Sequence, residues 1–259
     1  MVRRALITGG TAGLGFATAQ ALAGDGFDIV LTGRDNARAE RAVTKLVKDF
    51  PNVCVHALIS DLEDPEQTRN LFVRAEALAG PIDCLIVNSG HMPYGAIETL
   101  SDGEWYDAFE ILLMSAVRLS RSALCAMRSR RFGDVVFITG AEFREPSEHL
   151  ILAGTFRAGI ANMAKNLSRI AAADNVRINT VAPGYFYSGR VRQRVNAIAE
   201  ELNLRRDQAI RLVAGENPMG RAGDPEELGA LISFLVGRKA AFLNGAVITV
   251  DGGKGASFI

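Results

Sequence analysis

Two patterns of apolar and polar positions alternate along the chain. Short apolar runs, each closed by glycine or a small polar residue, are separated by stretches with an apolar position every three or four residues. The first pattern predicts buried strands and the second amphipathic helices. Strands are expected at Val2–Thr8, Phe27–Thr32, Val53–Ile59, Cys84–Val87, Val135–Thr139, Arg177–Val181 and Ala246–Val250. Helices are expected at Phe16–Ala23, Ala37–Asp49, Pro65–Ala79, Ser101 to about Ser129, Ala153–Ala173 and Pro225 to about Val236. Ser101-Asp102-Gly103-Glu104 reads as a capping box. Asp224-Pro225-Glu226-Glu227 reads as an N-cap, a proline at the first helical position and an acidic first turn. Regular strand–helix alternation implies an α/β protein, a single-domain Rossmann fold over residues 1–259 with a doubly wound parallel sheet. Tyr185–Gly215 departs from the alternation. It is mostly helical, rich in arginine and glutamate, and follows the sixth strand on the side where such sheets bind ligands. A helical substrate lid at about 185–215 is expected, with a plain surface helix pair as the alternative.

Composition narrows the picture little. A chain of 259 residues buries a sizeable core. Lys+Arg and Asp+Glu are both 29, so no net charge draws the domain to nucleic acid or an acidic membrane. No apolar run approaches the ~18 residues of a membrane span. The N-terminus MVRRALITGG enters a strand at once, unlike a signal peptide. Cys54, Cys84 and Cys125 have no metal-ligand spacing and an odd count. They are expected as buried small hydrophobes in a reducing cytoplasm, with no metal site.

Candidate chemistry begins after the first strand. Gly9, Thr11, Ala12, Gly13, Leu14 and Gly15 form a glycine turn between a strand and a helix. Glycines there let the backbone approach a pyrophosphate, and the helix N-terminus offers free N–H groups. The second strand ends in Gly33-Arg34-Asp35, where dinucleotide folds meet the adenosine ribose. Arg34 suits the 2′-phosphate of NADP. NAD remains the alternative if Arg34 is merely solvated.

These residues together resemble the classical short-chain dehydrogenase/reductase family over nearly the whole chain. Thr8-Gly9-x-x-x-Gly13-x-Gly15 is similar to its cofactor turn, and Asp61-Leu62 to its adenine contact. Asn88-Ser89-Gly90 stands where the family has Asn-Ala-Gly. Asn179, Pro183, Gly184, Phe186 and Ser188 are similar to the stretch that holds the nicotinamide carboxamide. The segment from Gly220 to Gly253 resembles the family's close. The family's catalytic Asn, Ser, Tyr and Lys do not carry over: Leu112, Gly140, Ala153 and Arg157 stand at those positions. Thr139 is adjacent to the serine position, and Leu150–Lys165 contains no tyrosine. Arg144-Glu145-Pro146 and the later Arg157 are similar to a divergent subgroup with Lys/Arg-Glu-Pro and Ser-Asn-x-x-Arg, although Ser-Asn is Ala153-Gly154 here. The resemblance also implies a homotetramer or dimer through the helices at Ser101–Ser129 and Ala153–Ala173, with the GGKGASFI tail in a second interface.

Arg157 stays charged at any working pH, so it cannot donate the tyrosine's proton. It can hold ribose hydroxyls or a substrate carboxylate, or stabilise an oxyanion. Glu142 and Glu145 are the further catalytic candidates, with His149, Tyr185 and Tyr187 nearby. Glu145 is equally readable as a partner of Arg157 or Arg144 that sets the loop. His149 reads more readily as structural, and the tyrosines as packing on the nicotinamide or substrate. Three functions follow: an NAD(P)H-dependent reductase of a carbonyl or conjugated enone in a small, acidic metabolite; a nucleotide-binding sensor or partner subunit without turnover; or a non-redox isomerase or dehydratase on the same scaffold.

Overall fold

The computed structural model describes residues 2–90, 92–214 and 217–257, without the side chains of Arg190, Gln193, Arg194, Val213 and Ala214. The lid's expected end, Gly215, and the tail's Phe258 and Ile259 lie outside the described residues. Seven strands form one sheet: β1 Arg4–Ile7, β2 Asp28–Gly33, β3 Val55–Ile59, β4 Cys84–Asn88, β5 Gly133–Ile138, β6 Val176–Pro183 and β7 Val247–Val250. Their order is β3-β2-β1-β4-β5-β6-β7 and every pairing is parallel. The chain reverses direction across the sheet between β1 and β4. A ligand crevice therefore opens at the carboxyl ends of those strands.

Parallel strands need both faces covered, and two helical layers do this. On one face α1 (Gly13–Gly24), α2 (Asn36–Asp49) and α9 (Pro225–Val236) bury Ala19, Leu22, Leu46, Leu228 and Ile232 against Ile7, Ile29 and Ile86. On the other, α3 (Pro65–Ala79), α5 (Ser115–Arg130) and α6 (Ile151–Ala171) bury Leu71, Phe72, Leu119, Ala123 and Ile160 against Leu6, Leu85 and Phe137. The amino ends of the strands carry structural charges. Buried Asp134 accepts from Arg3 at 2.5 Å and Arg177 at 2.7 Å; burial pushes its carboxyl up while the two guanidiniums oppose that. Near α9, Arg221 holds the Glu227 carboxyl down to about 2, and Glu227 also accepts from the N–H of Asp224 at 2.8 Å.

Two expectations need correction. The helix expected from Ser101 is unbroken to Arg130 but not uniform: α4 (Asp102–Ala108) passes through a π-turn over Phe109–Met114 into α5. The Ser115 hydroxyl donates back to the carbonyl of Ile111 at 2.6 Å. Apolar spacing does not register one wider turn inside a helix, which is why the sequence reads as uniform. Of the three cysteines only Cys84 is buried; Cys54 and Cys125 are exposed, because the former precedes β3 and the latter faces outward on α5. The segment expected as a lid or a surface helix pair forms α7 (Gly189–Glu201) and α8 (Arg206–Ala214).

Candidate active site

The crevice has a nucleotide half built from backbone. Gly9 and Gly13 hold positive φ, +57° and +56°, where a side chain would be strained. A Cβ at Gly15 would fall on the carbonyl of Gly9, so this glycine lets α1 start tight against the turn. The cap position of α1 is Ala12, which has no side-chain acceptor, and the first turn carries no acid. The amides of Gly13, Leu14 and Gly15 thus present donors and a positive dipole end with no anion of their own. Thr11 lies over β2, where a Cβ on Gly33 would sit 2.7 Å from its hydroxyl. Asn88 braces the turn by donating from Nδ2 to the carbonyl of Gly9 at 3.3 Å, and Thr8 Oγ1 accepts the Asn88 N–H at 2.9 Å. Gly90 passes close to the π-turn, since a Cβ there would meet Ile111 at 2.8 Å.

Arg34 is mostly exposed at the end of β2, 3.2 Å from Glu63 and 3.8 Å from Asp61. Leu62 is buried beside it and Asp61 orients the next turn by accepting the Glu63 N–H. After β6, Pro183 and Gly184 lead to Phe186, whose ring is buried against Gly223 and leaves only main chain for a ligand. Ser188 comes back over the glycine turn, 3.8 Å from where a Gly13 Cβ would be. Asn179 is corrected: it is buried and tied to Leu243 and Ala246 at 3.0 Å each, so it shapes β6 rather than touching a cofactor.

The other half of the crevice holds the reaction-centre candidates. Arg157 lies on α6 and Glu142 on the short turn after β5; the two form an ion pair. A Cβ on Gly140 would fall on the Glu142 carboxylate and the Arg157 guanidinium. This pair therefore fills the space a serine would need at that position. Thr139 does not substitute, because it is buried with its hydroxyl bonded to the carbonyl of Val181 at 3.1 Å. Ala153 is nearly closed to solvent, and Leu112 is wholly buried within the π-turn. Gly154 allows close packing, with the Glu142 carbonyl 3.3 Å from where its Cβ would be. Arg157 Nε is buried with no acceptor among the described residues. The Nε atoms of Arg3, Arg4 and Arg130 are left the same way, so this feature does not set Arg157 apart.

Glu145 does not pair with Arg157 or Arg144, as its reading as a loop-setting residue expected. Its carboxylate accepts the N–H of Ser257 at 2.7 Å, while Arg144 donates to Thr249 at 3.0 Å. The His149 ring is exposed beside Glu148 at 3.2 Å. Tyr187 accepts from Arg206 at 2.5 Å and lies under the guanidiniums of Arg192 and Arg206, at 5.4 and 5.8 Å from the ring centre. These contacts tie Tyr187 to α7 and α8 rather than to the pair. The signal for the Glu142–Arg157 contact was faint in the sequence. Only the glycine at position 140 hinted that another side chain occupied the serine's room.

A doubly wound parallel sheet with this cradle at its switch point defines a pyridine-nucleotide oxidoreductase. Residues 9–254 match the family described as enoyl-(acyl carrier protein) reductase, and the chain belongs to the short-chain dehydrogenase/reductase family. It is 28% identical over 255 residues to the NADPH-dependent reductase BacG of Bacillus subtilis, covering 97% of both chains. It superposes with TM-score 0.92 on YwfH, an NADPH-dependent reductase involved in bacilysin biosynthesis, at 26% identity over 100% of both chains. A third relative is an NADPH-bound short-chain oxidoreductase of Pseudomonas aeruginosa PAO1 containing an atypical catalytic center. It has 27% identity and TM-score 0.89, covering 98% of this chain and 97% of that one. These relatives agree with the expectation of NADP.

Proposed function

We propose that this chain is an NADPH-dependent reductase that delivers hydride to the β-carbon of a conjugated enone in a small acidic metabolite. The observation that carries this reading is the Glu142–Arg157 pair in the space of a catalytic serine. NADPH supplies the hydride. The cradle residues fit it: Gly9–Gly15 and Asn88 take the pyrophosphate side, Arg34 the 2′-phosphate, Asp61 and Leu62 the adenine side, and Pro183–Ser188 the carboxamide. Arg157 holds a ribose or substrate oxygen, and Glu142 orients the guanidinium.

Charge decides between two reductions. A simple ketone becomes an alkoxide that needs a proton donor beside it. Here Gly140 and Ala153 stand at the family's serine and tyrosine positions, and the Thr139 hydroxyl is bonded to the carbonyl of Val181. An enone instead yields a delocalised enolate, which a permanent cation stabilises and water protonates at carbon. Losing one such stabilising group costs about 10²–10³ in rate. Helices α7 and α8 serve as the lid. The lid's flanks are pinned together, since Tyr187 N–H donates to Gly223 O at 2.7 Å and Gly223 N–H to Tyr185 O at 2.9 Å. The assembly is a homodimer or homotetramer, supported by an apolar groove between α5 and α6 lined by Val117, Leu124, Met163 and Ile170. Free Cys54 on the surface suits the cytoplasm.

The test is NADPH oxidation against paired conjugated enone acids and saturated ketones. The enzyme should turn over the enones, and Arg157→Ala should lower kcat about 100-fold while NADPH still binds. Unchanged turnover in Arg157→Ala contradicts the role of the cation. Tight NADPH binding without turnover on either class contradicts the reductase reading.

A further inference from the structure

The turn that carries Glu142 is held at two ends. The carbonyl of Ala141 accepts the N–H groups of both Arg144 and Glu145, at 2.9 and 3.0 Å, so 141–145 is a closed unit. At one end Glu142 pairs with Arg157. At the other, half-buried Glu145 accepts the N–H of Ser257, and Arg144 reaches Thr249 on β7.

The tail reaches Glu145 because it is folded to do so. Asp251 accepts from Gly253 at 2.9 Å and from Gly255 at 2.8 Å, and its own carbonyl accepts from Asn217 at 3.2 Å. Gly252 and Gly253 turn back with φ of +67° and +80°. Gly255 then packs on Glu145, with 3.2 Å between its would-be Cβ and Glu145 Cγ. Asp251 also lies against Gly184, 2.6 Å from its would-be Cβ, beside the cofactor stretch. One short tail thus touches both halves of the crevice.

We propose that the C-terminal tail, residues 251–257, is a strap that positions the reaction centre, and that Glu145 is its buckle. The Ser257 N–H holds Glu145, and the closed turn passes that constraint to Glu142 and so to the orientation of Arg157. Glu145 is on this account a positioning residue, not a catalytic one. A carboxylate accepting a backbone N–H forms a charge-assisted bond. Small displacements of a group that must meet the reacting atoms are costly in rate. The kinetic arm of this proposal rests on the reductase reading above.

Ser257→Pro removes the N–H that Glu145 accepts, and Glu145→Ala removes the acceptor. Each should lower kcat about tenfold with the Kd for NADPH unchanged, and the double variant should be no worse than either alone. Glu145→Gln, whose amide oxygen still accepts, should recover most of the rate. Independently of turnover, amide hydrogen exchange over 141–147 in the NADPH complex should rise in Ser257→Pro and in a chain ending at Lys254. Losses that multiply in the double variant, or exchange unchanged in both strap variants, would overturn the proposal. If no enone is reduced at all, the reductase reading fails while the exchange measurement still decides the strap.

Discussion

The two halves of the crevice are made of different material. The nucleotide half, between β1 and β2, is shaped by main chain: glycines with positive φ, an uncapped helix start and a carbonyl braced by Asn88. The reaction half, between β5 and α6, is made of side chains from a loop and a helix fifteen residues apart, Glu142 and Arg157. Backbone requirements tolerate few residue types, so binding keeps its glycines. Side-chain chemistry is exchanged more freely, and here an ion pair occupies the space of a hydroxyl. On the function proposed here, the fold holds a cofactor in one place while the electrophilic assistance beside it changes kind.

The sharpest way to break this comparison is at Gly15. Gly15→Val drives a branched side chain into the carbonyl of Gly9. It should weaken NADPH binding more than about 100-fold, as read by cofactor fluorescence titration, since the pyrophosphate loses the helix start. Retained binding would remove the cradle from the glycine turn. The reaction half should respond to a different kind of change. Gly140→Ser, Ala153→Tyr and Arg157→Lys together should not create a ketone reductase, because the Glu142 carboxylate stands where the serine would go. Adding Glu142→Ala should raise ketone reduction at least about tenfold over the triple variant, as that room is freed for a proton-donating set. Equal rates in the two would mean the pair does not exclude the serine. The smallest effect belongs to Arg34, which is exposed and already near Glu63 and Asp61. Arg34→Ala should raise the Kd for NADPH about tenfold and leave that for NADH nearly unchanged, by isothermal titration. Equal weakening of both would deny Arg34 the 2′-phosphate.

The sequence exposed these halves unequally. The strand–helix alternation, the Asp224-Pro225 start of α9 and the Ser101 capping box were legible because local chemistry decides them. So was the glycine turn, whose strand-then-helix setting gives the motif its meaning. Periodicity did not reveal the π-turn at Phe109–Met114, since a single wider turn barely shifts the apolar face. The sequence named Glu142, Glu145 and Arg157 but offered Glu145 rather than Glu142 as the partner of Arg157. Pairing across a loop depends on which way the turn 141–145 closes, and two main-chain bonds to Ala141 settle that. Asn179 was misread because an asparagine bonded to its neighbours looks the same in sequence as one facing a ligand.

The claim that the reaction centre works through a fixed cation is tested most directly by where the hydride lands. NADPH carrying deuterium at its transferable position would be turned over with a conjugated enone acid, and the product's label located by NMR. Deuterium at the β-carbon with the carbonyl intact is the predicted result. Deuterium on a carbon that bears a new hydroxyl group would contradict it.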